Sequence, residues 1–379
     1  MNVWKLLPAV LVLIGQVMAE PGVTADKVLL GQSCALTGPS AALGQGMKLG
    51  LETYFNKINA EGGVNGRQIK LVSLDDGYEP GKAEDNTRAL INDRQVFALI
   101  GEVGTPTSQA AVPLAAVDHV PFFTPFTGAG FLREGDKNFV INFRGSYAQE
   151  MERLAEYLVD KKGFNKIACF YQDDGYGKAG LSGIERALSA RSKTLVAKGT
   201  YQRNTVDIAG GLNAISGSAP DAVILVGTYK PCATFIKAAL QTPGLKTATF
   251  CNISFVGTKA LQEELGEQQE GVIVSQVVPF PWDARLPIVK EFLTEMKKVG
   301  KLDDAEFITL EGYMSAKLFC LALQNVVGEP TRDALLKSVY ATREFNLGGI
   351  TLNFGPGDNQ GMDKVFLVEY RAGKIQSIN

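Results

Sequence analysis

Residues 97–108, FALIGEVGTPTS, place three hydroxyls, those of Thr105, Thr107 and Ser108, where a short apolar run gives way through glycines to a Thr-Pro pair. Pro106 suits the first turn of a helix, because its ring fixes a helical φ and the N–H it lacks would have had no partner there. The unpaired amides of that turn make a seat for an anion, most simply a carboxylate. The same Thr105 hydroxyl can instead cap its own helix, a local role that needs no ligand. A second candidate is Gly175-Tyr176-Gly177-Lys178-Ala179-Gly180, a G-x-G-x-x-G run that follows an apolar segment, the setting of a dinucleotide site. Against it, Asp173 and Asp174 stand where they would repel a pyrophosphate, and the next strand segment ends without an acid to hold a ribose. Tyr176 and Tyr229 lie in the polar segments DDGYGK and VGTYKP, where an aromatic ring can cover an apolar body and hydrogen-bond it at the tip.

Other chemistries find little support. The single histidine, His119, lies in the turn AAVDHVPFF before an apolar run. Residues 31–35, GQSCA, resemble a nucleophile elbow, but the turn ALTGPS follows in place of a helix. No His pair or Cys-x-x-Cys offers metal ligands. No cofactor is expected, and catalysis is not required.

These candidates need elements to hold them. Short β-branched runs at 28–31, 69–74, 97–101, 121–124 and 139–143 alternate with stretches of helical apolar spacing, and a second series follows at 167–171, 194–201, 222–226, 249–251 and 272–277. Such alternation predicts an α/β protein with two doubly wound parallel-sheet lobes. After Pro279 the pattern turns mostly helical, at 286–299, 307–327 and 332–340, and closes with strands near 350–354 and 365–370. A C-terminal part of this kind serves both lobes through a hinge crossed more than once, which places 20–144 with 279–346 in one lobe and 145–278 with 347–379 in the other. In open parallel sheets ligands sit beyond the carboxyl ends of the strands. The Thr105 turn is at such an end, as are Asp75-Asp76, 124–128, 172–177, Thr228-Tyr229 and 252–254.

The chain has 379 residues, with Lys+Arg 38 against Asp+Glu 40 and a formal net charge of −2. Near-balanced charge with no basic block excludes a nucleic-acid surface. Residues 1–19 carry Lys5, an apolar run over 6–17 and a small residue at Ala19, which predicts a secretory signal peptide cleaved after Ala19. Export permits disulfides. Of the five cysteines, Cys232 and Cys251 fall at the ends of consecutive expected strands and are the pair placed to bridge, although spacing does not fix connectivity.

The segments LTGPSAALGQGMKLGLE, INAEGGVNGRQIKLVSLDD, IGEVGTPTS, VPFFTPFTGAGFLREG, YQDDGYGKAG and PDAVILVGTYKP carry a resemblance over nearly all of the chain beyond residue 19. It resembles the periplasmic solute-binding proteins of ABC importers, in the Leu/Ile/Val-binding branch, with the type I periplasmic-binding-protein fold. The resemblance implies a monomer that traps a small carboxylate-bearing solute between lobes and presents it to a membrane permease. Thr105 would hold the carboxylate, Phe126, Thr127 and Gly128 would complete the first lobe, Tyr176 and Tyr229 would close over the ligand, and Phe307 would add an aromatic near the hinge. The chain departs from the pattern where an acid usually pairs with the ligand's α-ammonium: Ser254 stands there, the assisting threonine is Gly128 with Thr127 beside it, and the first-loop aromatic is Leu43. An ammonium buried without an anion is costly, so a solute without one, such as an aromatic or aliphatic acid or an amide, is a rival ligand. Glu102 and Asp76 are possible replacement acids. A sensory module read by a signalling partner, and an enzyme using Gly175–Gly180 for a nucleotide, are the remaining alternatives.

Overall fold

The run KVLLGQSC forms β1 (Lys27–Cys34) and QIKLVSLD forms β2 (Gln68–Asp75) in a computed structural model that describes residues 20–135 and 137–378. The expected signal peptide lies outside the described residues. With β3 (Ala98–Ile100), β4 (Phe122–Phe123) and β5 (Val140–Ile141) they build a wholly parallel sheet in the order β2-β1-β3-β4-β5. The strands at 97–101 and 121–124 are shorter than their apolar runs because Gly101 and Thr124 take positive φ, 66° and 49°, and turn the backbone out of the sheet. Its connections are helical: α1 (Ala41–Ala60), α2 (Pro80–Arg88) and α3 (Thr105–Val117).

The second sheet repeats the plan. Strands β6 (Ile167–Gln172), β7 (Ala197–Tyr201), β8 (Ala222–Val226), β9 (Thr249–Asn252) and β10 (Ile273–Gln276) run parallel in the order β7-β6-β8-β9-β10. They alternate with α4 (Tyr147–Ala155), α5 (Gly175–Ser189), α6 (Ala209–Ser216), α7 (Tyr229–Ala239) and α8 (Thr258–Leu265). AVILV of β8 is buried throughout, as expected where helices cover both faces. The segment AGGLNAIS folds as α6, and Gly211 lets that helix approach β6 and β7: a Cβ there would lie 2.6 Å from the Phe170 ring and 2.8 Å from Thr200 O.

The C-terminal part returns to the first sheet as α9 (Pro287–Lys298), α10 (Phe307–Gln324) and α11 (Arg332–Thr342), followed by a small hairpin of β11 (Glu344–Asn346) and β12 (Thr351–Asn353). Helices α1 and α10 touch at backbone distance, since a Cβ at Gly50 would lie 2.1 Å from Thr309 O and one at Gly312 2.4 Å from Met47 O. Asn359 and Gln360 stay beside the first sheet, where Asn359 O accepts from Asn142 N at 2.7 Å. The antiparallel strands β13 (Phe366–Arg371) and β14 (Lys374–Ile378) then extend the second sheet beyond β10. The chain therefore passes between the sheets three times, near residues 144, 279 and 363. No helix among the described residues is long and apolar enough to cross a membrane.

Candidate functional site

Each sheet reverses its strand order once, between β1 and β3 in the first and between β6 and β8 in the second. At such a reversal the connections leave in opposite directions and open a crevice at the strands' carboxyl ends. Thr105 stands at the first crevice; Gln172, Tyr176, Thr228 and Tyr229 stand at the second. The two crevices face one another and are in contact. Gln172 Nε2 donates to the Tyr78 hydroxyl at 3.4 Å, Ala42 N donates to the Tyr229 hydroxyl at 3.4 Å, and Arg203 Nη2 pairs with Glu79 at 2.9 Å. Asn204 Nδ2 adds bonds to Glu79 Oε1 at 2.7 Å and Gly77 O at 3.0 Å.

The helices that start at the two crevices end differently. At α5 the Asp174 carboxylate accepts from Tyr176 N at 2.9 Å and Gly177 N at 3.4 Å, so the helix's own side chain occupies the place of an anion. The glycines of the G-x-G-x-x-G run serve packing there: a Cβ at Gly177 would fall 1.8 Å from Gln172 O, and one at Gly180 2.6 Å from Val226. At α3 no side chain caps the first turn, and the N-cap is Gly104 at φ 109°. Thr105 is not its own helix's cap. Its hydroxyl lies 2.7 Å from that of Thr127, which donates to the Tyr147 hydroxyl at 3.3 Å. Thr107 is spent on backbone carbonyls, including Gly104 O at 3.1 Å, whereas Ser108 Oγ is buried with no hydrogen-bond partner.

Aromatic rings surround this hydroxyl group. Phe255 is their hub, with centroids 4.7 Å from Tyr176, 5.3 Å from Phe126 and 5.9 Å from Tyr78, and Tyr147 lies 5.4 Å from Tyr176. Gly128 is glycine because Tyr147 crowds it: a Cβ would lie 2.7 Å from Tyr147 N. Against Phe126, at 4.4 Å from its centroid, lies the guanidinium of Arg144, a side chain only 1% exposed. Its Nε makes a 3.0 Å ion pair with Glu311, its Nη2 donates to Ser254 Oγ at 2.8 Å and Glu311 Oε2 at 3.2 Å, and its Nη1 has no partner. Ser254 in turn donates to Glu150 through its amide at 2.8 Å and its hydroxyl at 2.9 Å.

A family model described as periplasmic binding protein matches residues 27–374. The chain belongs to the periplasmic binding protein family. A solved structure of a possible leucine/isoleucine/valine-binding protein from Rhodopirellula baltica is 35% identical with a TM-score of 0.89, covering 94% of this chain and 97% of that one. A substrate-binding periplasmic protein from Ralstonia solanacearum is 27% identical with a TM-score of 0.84, over 90% and 97% of the two chains. Among curated relatives, Leu/Ile/Val-binding protein homolog 7 of Brucella abortus is 26% identical over 343 residues, 86% of this chain and 84% of that protein. Each of these relatives carries the name of a binding protein.

Within this periplasmic binding protein the residues singled out from sequence separate into groups. Thr105, Phe126, Thr127, Gly128, Tyr176 and Ser254 come together around Phe255 and Arg144. Tyr229 sits at the side of the cleft, against Ala42 and Gly257. Phe307 packs with Phe280 and Trp282 at centroid distances of 6.0 and 5.8 Å, apart from the rings around Phe255. Asp76 and Glu102 form a separate buried pair under the first sheet's crevice. Asp76 accepts from Ser33 Oγ and Tyr78 N, both at 2.8 Å, while neither Glu102 oxygen has a partner. Burial raises Asp76 to about 6 despite those bonds, and burial beside Asp76 pushes Glu102 well above the ordinary carboxylate range.

Cys232 and Cys251, the pair singled out as able to bridge, are not joined, and all five cysteines are free and buried. The physical reason is placement: Cys232 lies on helix α7, where its sulfur packs on Gly227, and Cys251 lies within β9 beside Ile224 and Ile273. Sequence reading passed over Tyr78, Arg144, Tyr147, Glu150, Phe255 and Glu311. Tyr78 and Arg144 carried a usable signal, since each follows a strand of the first sheet at its carboxyl end. Glu150 and Glu311 lie inside helices and carried none.

Proposed function

We propose that this protein captures a small carboxylate-bearing solute, comparable in size to a branched-chain amino acid, between its two lobes and delivers it to an ABC permease in the membrane. The observation that carries the reading is the uncapped start of α3, with the coupled hydroxyls of Thr105 and Thr127 and the unpartnered Ser108 hydroxyl buried beside it. A carboxylate there would accept from hydroxyls and first-turn amides together. The Leu/Ile/Val-binding names of the curated relatives support a solute of this size that bears a carboxylate. Phe126 and Gly128 would form the floor, with Tyr176, Phe255 and Tyr229 closing from the second lobe. Closure is favoured by the ligand only to the extent that it gains contacts in the closed form that the open form lacks. The three crossings between the sheets are the segments that would bend. We place the protein in the periplasm as a monomer, exported by residues 1–19.

Mass spectrometry of small molecules that co-purify with the folded protein tests the reading directly. A stoichiometric low-mass carboxylate is expected. A bound nucleotide, or a protein that binds no carboxylate in calorimetric titrations with leucine, benzoate and hexanoate, would refute it.

A further inference from the structure

We infer that Arg144 sets the charge of the ligand: its free Nη1 edge takes an acceptor oxygen of an anionic solute, and the site selects a carboxylate on an apolar or aromatic body that carries no α-ammonium. This rests on the binding-protein reading of the same cleft. Arg144 joins both lobes, being stacked on Phe126 and paired with Glu311 on one side and bonded to Ser254 on the other. Nη2 donates to Ser254 and Glu311, Nε lies 3.0 Å from Glu311 as an ion pair without a hydrogen bond, and the two N–H groups on Nη1 are buried with neither. Leaving such donors dry costs free energy that an arriving oxygen would recover. The guanidinium is a planar fork that suits a carboxylate, and the rings of Phe126, Phe255, Tyr147 and Tyr176 around it suit an apolar body.

An ammonium finds no matching place beside it. Glu150 already accepts from Ser254 N, Ser254 Oγ and Ser275 Oγ, the last at 2.6 Å, and Glu311 is taken by Arg144 itself. A ligand ammonium near Ser254 would face a guanidinium and a hydroxyl. Glu102 has two free oxygens, but it lies with Asp76 in the separate buried pair under the first sheet's crevice and not in the group around Arg144.

The experiment is calorimetric titration of the full chain, stripped of co-purified solute, with benzoate, hexanoate, benzamide and leucine. The variants are Arg144→Lys and the double variant Arg144→Met/Glu311→Gln, which leaves no unpaired Glu311 charge. Wild type should bind the two acids about 10- to 100-fold more tightly than benzamide, the range of one charge-assisted hydrogen bond, and leucine more weakly than either acid. The double variant should lose the preference for acid over amide, and Arg144→Lys should keep part of it. A folded double variant with the preference intact overturns the role of Arg144 and leaves the binding-protein reading standing. Leucine bound more tightly than both acids overturns the ammonium-free class. No binding of any carboxylate overturns the underlying reading with it. A second readout needs no variant: in wild type labelled with 15N-arginine, saturating benzoate should shift one slowly exchanging guanidinium signal, and the absence of a shift overturns the contact.

Discussion

Thr105 is buried completely, and its hydroxyl bonds to Thr127 in place of the backbone of its own helix. Replacing it with alanine removes one donor from the proposed carboxylate seat and leaves Thr127 its bond to Tyr147. Thr105→Ala should weaken ligand binding by about 1–3 kcal/mol, the range for a hydrogen bond to a charged group. Calorimetry on the co-purified solute checks it, and an unchanged affinity would return Thr105 to a structural role. This residue was readable in the sequence because the glycine, threonine and proline that define the turn are adjacent. Arg144 sits in the unremarkable string NFRGS and gains its meaning from Phe126 and from Ser254 and Glu311, the last two far away along the chain.

At the scale of elements, α5 shows how one motif serves two readings. Its glycines lie where β6 and β8 come close, and Asp174 fills the helix start. Gly177→Ala should therefore lower stability by roughly 1–3 kcal/mol, the cost of forcing a methyl into packed backbone, as read from denaturant midpoints. Wild type should show no measurable affinity for NAD or ATP; saturable binding of either would revive the nucleotide reading. The loop after β7 and the turn after β2 meet through Arg203, Glu79 and Asn204 across the cleft. Both charged side chains are partly exposed, so the pair is worth about 1 kcal/mol or less. Because it exists only when the lobes touch, Glu79→Gln should reduce ligand affinity up to about fivefold and increase the radius of gyration of the ligand-free protein in solution scattering. An unchanged radius together with unchanged affinity would remove this contact from the closure equilibrium.

For the whole molecule, buried acids govern the response to pH. Burial raises Asp76 to about 6 and Glu306 and Glu311 to about 7, and it raises Glu102 as well. Each holds its proton more tightly folded than unfolded, so between the ordinary carboxylate range and these values the native state binds more protons. Their contribution is complete below the unfolded values and is lost as pH rises through the folded ones. Asp75, Glu79 and Asp221 are lowered, mainly by hydrogen bonds that outweigh any burial, and their contribution is lost only as pH falls below the usual carboxylate range. Stability toward urea should therefore be greater near pH 5 than near pH 7.5. Asp76→Asn should flatten the part between pH 4 and 6; a wild-type slope of the opposite sign would show that these carboxyls are solvated. By itself the sequence determined the alternation of strand and helix, the two-lobed α/β class and the set of loops at strand ends, since each follows from local periodicity and turn chemistry. Tertiary structure alone decided which of those loops meet. It set the strand order that opens both crevices, kept Cys232 on a helix away from a bridge with Cys251, moved Phe307 out to Trp282, and gathered Arg144, Glu150, Ser254 and Glu311 from separate segments. The reason is that contact across two packed lobes depends on register and crossing geometry summed over the whole chain, which no local pattern of residues encodes.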